Sequence, residues 1–288
     1  MDYAICVRGL SAREVIDVGR FAEDTGYDEV FLPDGSTGGI LTAEGKLAGR
    51  DSMVSFAALF TATSTIRGTL GVAATPMHHP LVLPTVASSL NELSGGRFSL
   101  GVGVSHPEQA ARMGVIYPER PVAYMRERLR DLRARSNGGM VAGGGWPVLV
   151  AALGPKMTQV GAEEADGLIL NWLTPDSVAA AAATVKAAAA TTGRPPARLA
   201  LYLRLMPDSA RLADAVSYDA MGNYHRNFVA QGLTTPELIA DGTTLRRDDL
   251  GAAKARIAEY EAAGLDTVCV YPIGFSPEDR TALAALRS

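Results

Sequence analysis

The sequence predicts an α/β fold, a (β/α)8 TIM barrel carrying a helical insertion between its seventh and eighth strands. Three observations carry that prediction. Eight short β-branched or apolar runs are spread along the chain, helical patterns separate most of them, and the 288 residues slightly exceed the roughly 250 typical of such a barrel. A doubly wound open sheet is the rival, and it calls for a glycine fingerprint after the first strand. There, "CVRGLSAREV" holds a single glycine. No internal repeat and no domain linker interrupts the pattern, so residues 1–288 read as one domain.

The predicted strands follow in order: "YAICV" (3–7), "EVFLP" (29–33), "RGTLGVA" (67–73), "RFSLGVGV" (97–104), "VLVAA" (148–152), "GLILNW" (167–172), "RLALYLRL" (198–205) and "DTVCVYP" (266–272). Between them lie helical patterns such as "SAREVIDVGRFAEDTG" after the first strand and "LVLPTVASSLNELSGG" after the third. "PDSVAAAAATVKAAAATTG" follows the sixth strand, and "DDLGAAKARIAEYEAAG" precedes the eighth. Gly26, the Gly95-Gly96 pair and Gly264 stand where left-handed helix stops are needed before a strand. "SNGGMVAGGGWP" (136–147) is too short to separate domains and closes the loop before the fifth strand. Residues 34–50 and 207–246 exceed ordinary connection lengths. Both follow the carboxyl end of a strand, where barrel enzymes carry their substrate loops.

Composition bounds the function. At 47% hydrophobic and 20% charged residues, the chain can bury a large core without disulfides. A net charge of −4 argues against a general nucleic-acid binder. No apolar stretch approaches a membrane span, and the first ten residues lack a signal peptide's plan. Cys6 and Cys269 read as reduced core residues of a cytoplasmic protein, with a redox pair as the lesser reading.

Several strand ends hold residues able to do chemistry. In "GPKM", Gly154 reads as a helix N-cap, with Pro155 at the first helical position. The amides of Lys156 and Met157 then point outward as an anion site, to which the Lys156 ammonium adds charge. An ordinary helix start with a solvent-facing lysine is the equal alternative. Gly101 and Gly103 allow close approach of a ring, and Ser105 and His106 follow at the strand end. His106 is a candidate general acid or a pocket-lining histidine. Asp34 ends the second strand and either orients a ligand or caps the next loop. Thr75 ends the third and can donate to a ligand. His78 and His79 are adjacent, so they face differently and make a poor metal pair; no metal site is expected. Asn171 can read a polar group, and Trp172 either walls a pocket or packs. In "YDAMGNYHRNF", Tyr218, Met221, Tyr224, His225 and Phe228 recur at helical spacing. They form either a core face or the wall of a substrate pocket. No nucleophile elbow and no Walker loop is present, which favours chemistry done by a cofactor.

"LNELSGGRFSLGVGVSHPEQAARMGVIYPER" and "VLVAALGPKMTQVGAEEADGLILNWLTP" together resemble the luciferase-like monooxygenase superfamily, and most of all its coenzyme F420 (deazaflavin) branch. The resemblance implies a barrel that forms homodimers, takes a small-molecule substrate, and holds the cofactor phosphate near Gly154. It also implies a non-prolyl cis peptide at about Ala73-Ala74. Carried over by position, the cofactor ring contacts Asp34, Ala73, Ala74 and Ser105 or His106, while its phosphate and linker contact Ala152, Gly154, Pro155, Lys156 and Met157. The activity implied is hydride transfer from reduced F420 to an activated C=C or C=N bond, with His106, a loop tyrosine or solvent giving the proton. FMN-dependent monooxygenation is the alternative cofactor reading, and a non-catalytic cofactor-binding protein is a third. The chain departs from the branch's sugar-phosphate dehydrogenases. It has Gly35 where they have a histidine, Ser105 and His106 where they have a glutamate, and Asn171 and Thr174 where they bind the sugar phosphate. The loop before the fifth strand is also short, which implies a wider pocket.

Overall fold

A computed structural model describes residues 1–34, 50–137 and 145–288. Gly35, Lys46 and most of the long 34–50 connection lie outside the described residues, as do the glycines at 138–144. Eight parallel strands close into a barrel: β1 (Asp2–Val7), β2 (Glu29–Leu32), β3 (Arg67–Ala74), β4 (Phe98–Gly103), β5 (Val148–Ala151), β6 (Gly167–Asn171), β7 (Arg198–Met206) and, after a two-residue β8 (Leu245–Arg246), β9 (Thr267–Ile273). Each of β1 to β7 pairs with the next, and β9 pairs with both β7 and β1 to close the ring.

Alternation along the strands divides the core into two. In β2, Phe31 points into the lumen, beside Cys6, Ile169, Tyr202, Cys269 and Tyr271. Its neighbours Val30 and Leu32 point outward, into the layer shared with Phe56, Leu59 and Leu70. Burying each such side chain contributes about 1.5–3 kcal/mol. Both cysteines are free and buried in the lumen. The helix stops form as expected: Gly26, Gly95, Gly96 and Gly264 all adopt positive φ, at +76°, +66°, +89° and +91°.

The insertion after β7 consists of helices Asp208–Asp219, Gly222–Ala230 and Pro236–Thr243. Buried Arg211 ties the first to the third, donating to Thr244 Oγ1 at 2.7 Å and to the Ala240 carbonyl at 2.9 Å. β8 then pairs with the end of β7 (Leu205 with Leu245), a strand that the sequence pattern does not announce. At the amino end of the barrel, the wholly buried Glu29 accepts from Thr69 and Arg198, with Arg67 at 3.9 Å. Among the described residues no helix is long and apolar enough to cross a membrane, and no cluster of potential ligands could hold a metal ion.

Candidate active site at the carboxyl end of the barrel

The carboxyl ends of the strands and the insertion surround a cavity of about 1190 Å³. Three non-glycine residues with left-handed backbone stand around this end: Ser105 (φ 67°) after β4, Trp172 (φ 56°) after β6 and Ile273 (φ 74°) at the end of β9. Each such conformation costs about 1–3 kcal/mol, and such residues cluster at functional sites.

β3 forms the floor. Its register with β4 shifts between Leu70 and Ala73, and the cis peptide lies at Gly71-Val72, two residues before the expected Ala73-Ala74. Gly71 also meets a side chain from across the barrel. Tyr202 Oη donates to the Gly71 carbonyl at 2.7 Å, and a Cβ on residue 71 would lie 2.1 Å from that oxygen. Only glycine fits there. Gly71 and Val72 line the cavity. Ala73 and Ala74 are buried away from it, and Thr75 donates to the Gly103 carbonyl at 3.1 Å, so none of the three is among the lining residues. Gly103 lines the cavity, and both Gly101 and Gly103 also make room for the neighbouring strand. A Cβ on Gly101 would meet the Leu70 carbonyl at 2.2 Å, and one on Gly103 would meet Val72 at 3.0 Å. These glycines admit the β3 bulge, and the bulge faces the cavity.

Asp34 lines the cavity and is 4% exposed; its Oδ2 lies 2.7 Å from His78 Nε2. His78, which spacing dismissed as half of a poor metal pair, thus becomes the partner of the strand 2 carboxylate. Ser105 and His106 also line the cavity. His106 caps helix Pro107–Arg112, and its Nδ1 receives the Asn223 Nδ2–H at 3.0 Å. Nδ1 accepts, so the ring proton sits on Nε2. Burial lowers the His106 pKa below 6.5, against an opposing pull from Glu108, so the ring is neutral at pH 7.

Helix Pro155–Glu164 begins at Gly154, as expected, and Ala152, Gly154, Pro155 and Met157 line the cavity. Two details differ. The Met157 amide donates to the Gly154 carbonyl at 3.1 Å and does not point freely outward, and Lys156 is exposed and outside the lining.

Asn171 meets the cavity together with Arg204 from β7, a residue hidden in the apolar run "RLALYLRL". Arg204 is 3% exposed; its Nε donates to Asp214 at 2.5 Å and its Nη1 to Asn171 Oδ1 at 2.8 Å. Its guanidinium lies 4.0 Å from the Trp172 ring centroid and 4.7 Å from that of Tyr218. Burial disfavours its charge, but Tyr218 and Asp214 outweigh this and raise its pKa above the usual arginine value. An arginine between two leucines inside a strand-like apolar run is the available signal. Trp172 is fully buried against Tyr218 and Phe228, and its indole N–H donates to no partner among the described residues; it packs and is not among the residues lining the cavity.

Tyr218 and Tyr224 do line the cavity, but His225 is exposed and pairs with Asp219 at 2.9 Å. The helix breaks at Ala220-Met221, which resets the phase. Tyr224 and Phe228 then share the inner face, and His225, one residue on, turns to solvent. The cavity also takes in Arg8, Arg50, Arg112 and Arg226, while Asp34 is its only lining carboxylate among the described residues.

The luciferase-like monooxygenase family model matches residues 6–279. The chain is 28% identical over 193 residues to a 5,10-methylenetetrahydromethanopterin reductase of Archaeoglobus fulgidus, a match covering 61% of this chain and 54% of that protein. The chain thus spans about half the length of the curated relatives it first matches, 54% and 56%. The coenzyme F420-dependent tetrahydromethanopterin reductase of Methanopyrus kandleri superposes with a TM-score of 0.77 at 18% identity, covering 100% of this chain and 97% of that one. EDTA monooxygenase from Chelativorans sp. BNC1 superposes with a TM-score of 0.76 at 15% identity, covering 100% and 91%. At those identities the two superpositions speak for the barrel. Matched by the family model from its first barrel strand to its last helix, the chain belongs to the luciferase-like monooxygenase family.

Proposed function

We propose that this chain is a coenzyme F420-dependent oxidoreductase that moves hydride from the reduced deazaflavin to an activated double bond of a small molecule. The observation that carries this reading is a single cavity that takes in both the β3 bulge and the amino end of helix Pro155–Glu164. Ordinary ligand pockets occupy about 300–1000 Å³. At about 1190 Å³ this one has room for a tricyclic ring, its phosphate-bearing side chain and a substrate. The donor set fits an anionic cofactor. Nothing lies within 4 Å of where a Cβ on Gly154 would stand, and Arg8, Arg112 and Arg226 have no carboxylate partner among the described residues. The F420-dependent reductase that shares the fold supports the same cofactor.

When bound, the deazaflavin supplies a hydride from its C5 position. The chain's residues do the rest. Val72 on the bulge would back the ring, with Asp34 and the Ser105–His106 turn beside it. Gly154, Pro155 and Met157 would take the phosphate end. Neutral His106 presents a hydrogen-bond donor at Nε2 without adding a charge, and the apolar lumen below the bulge keeps water from the reacting face.

FMN-dependent monooxygenation is the second reading, and it is favoured by the monooxygenase that shares the fold. Titration of the protein with oxidised F420 and, separately, with FMN, following each cofactor's fluorescence, tests the choice. Saturable binding of F420 in preference to FMN is expected. Preference for FMN, with oxygen consumed by the reduced complex, replaces the first reading with the second.

A further inference from the structure

Four side chains from four elements form a chain of hydrogen bonds along one wall of the cavity, and the direction of each bond can be read. Arg204 has donors only, so Asn171 must turn its Oδ1 to Nη1. The Asn171 amide nitrogen then faces Tyr224 and donates to its Oη at 3.2 Å. The Tyr224 oxygen is thereby an acceptor, and its own proton has no acceptor among the described residues. Burial pushes the Tyr224 pKa up, so that proton stays on. Asp214, bonded to Arg204 at 2.5 Å, holds the other end of the chain. Beside Tyr224, at 5.6 Å between ring centroids, stands His106, with Nδ1 taken by Asn223 and the proton on Nε2. That Nε2–H also has no partner among the described residues.

We propose that the Tyr224 O–H and the His106 Nε2–H together hold the oxygen of an α,β-unsaturated carbonyl compound, that Arg204 and Asn171 position Tyr224 for this, and that the reducible bond is a C=C conjugated to that carbonyl. The inference rests on the deazaflavin reading for its source of hydride. Hydride adds at the β-carbon, and the C=C pair becomes a bond between the α-carbon and the carbonyl carbon. The carbonyl π pair moves onto oxygen, where the two neutral donors meet the developing charge. A proton from solvent then binds the α-carbon as the pair on oxygen re-forms the carbonyl, which completes the reduction; the two electrons arrive with the hydride of the reduced deazaflavin, which is oxidised. A C=N substrate fits this wall less well. In its reactive form it is an iminium cation, which meets the charged Arg204 and a lining of arginines, while the lining carboxylate Asp34 is engaged by His78.

The experiment needs no cofactor. Equilibrium binding of para-nitrophenolate, an enolate-like oxyanion, is compared with that of its uncharged ether para-nitroanisole, at a pH where the phenol is ionised. The bound phenolate is read by its absorbance. Wild-type protein is expected to prefer the phenolate, and Tyr224→Phe, which keeps the ring, and His106→Ala are each expected to weaken it by about 10-fold or more, as loss of a bond to a charged group does. Asn171→Ala combined with Tyr224→Phe should bind no worse than Tyr224→Phe alone, because Asn171 acts through that hydroxyl; losses that simply add would make Asn171 merely structural. An unchanged phenolate preference in Tyr224→Phe overturns the proposal, since the rim arginines alone would then explain it. The deazaflavin titration in the same variants separates the two readings. Loss of cofactor binding throughout, with the phenolate result intact, removes the deazaflavin and leaves the oxyanion site standing.

Discussion

The two ends of the barrel are built from similar residues and put them to opposite uses. At the amino end, the first residues of four strands, Asp2, Glu29, Arg67 and Arg198, neutralise one another, with Glu29 fully buried at the centre. Among the described residues lining the carboxyl end, the arginines outnumber the carboxylates, and Arg8, Arg112 and Arg226 face the cavity without a carboxylate partner. The backbone differs in the same sense. Non-glycine residues with positive φ occur among the described residues only at Ser105, Trp172 and Ile273, all at the carboxyl end. At one end the charges neutralise one another; at the other they face the cavity, at the end of the barrel where the strained backbone also lies.

Glu29→Ala breaks the comparison most severely. It leaves Arg198 and Arg67 beside a buried vacancy with no carboxylate between them, and truncation of one partner of a buried pair costs about 3–5 kcal/mol. Denaturant unfolding should show that loss, while the folded fraction retains wild-type cofactor affinity. A variant that kept its stability and lost cofactor affinity would mean that the two ends are not separate in function.

Gly71→Ala is the matching change at the other end and should cost less. The new Cβ lies 2.1 Å from Tyr202 Oη and 3.0 Å from Phe31, so the tyrosine must move and its bond to the residue 71 carbonyl must rearrange. Overpacking of this kind costs about 1–3 kcal/mol. The effect should appear in both readouts, because Val72 on the cavity floor moves with it. Reduced stability with unaltered cofactor affinity would detach the bulge from the site.

The same pair of residues shows where sequence reading stops. Gly26, Gly95 and Gly264 are legible because a helix stop is a local event, and Asp34, Ser105, His106 and Gly154 are legible because a barrel puts strand ends in one place. The need for glycine at 71 is set by a tyrosine 131 residues away, and no local pattern encodes it. The helical spacing misplaces His225 because it carries a single 3.6-residue phase across the break at Ala220-Met221. The sequence does not single out Arg204, and it shows His78 only as half of a poor metal pair, for a related reason. Each gains its role from a partner on another strand or loop, Asn171 for the first and Asp34 for the second.

The smallest effect concerns protons, and it sharpens the comparison through acid. Burial raises the Asp2 carboxyl pKa, but the hydrogen bond and charge of Arg67 outweigh it, so the folded value lies below 3.8. A carboxylate with a depressed pKa stabilises the fold above its unfolded pKa, and that contribution disappears as pH falls through the folded value. The contribution of Asp2 to the amino end is therefore lost only below pH 3.8. His106 behaves differently: burial lowers its folded pKa below 6.5, so the unfolded chain takes up the proton first as pH falls. Stability should decline as pH drops below the unfolded value and level off once it is below the folded one. Denaturant midpoints measured between about pH 5 and 8 should slope downward toward acid in the wild type and less so in His106→Gln. Asp2→Asn should leave that slope as it is and alter only the limb at lower pH. Equal slopes in wild type and His106→Gln would assign the loss to another group, and with it the argument that His106 meets its ligand as a neutral donor would fail.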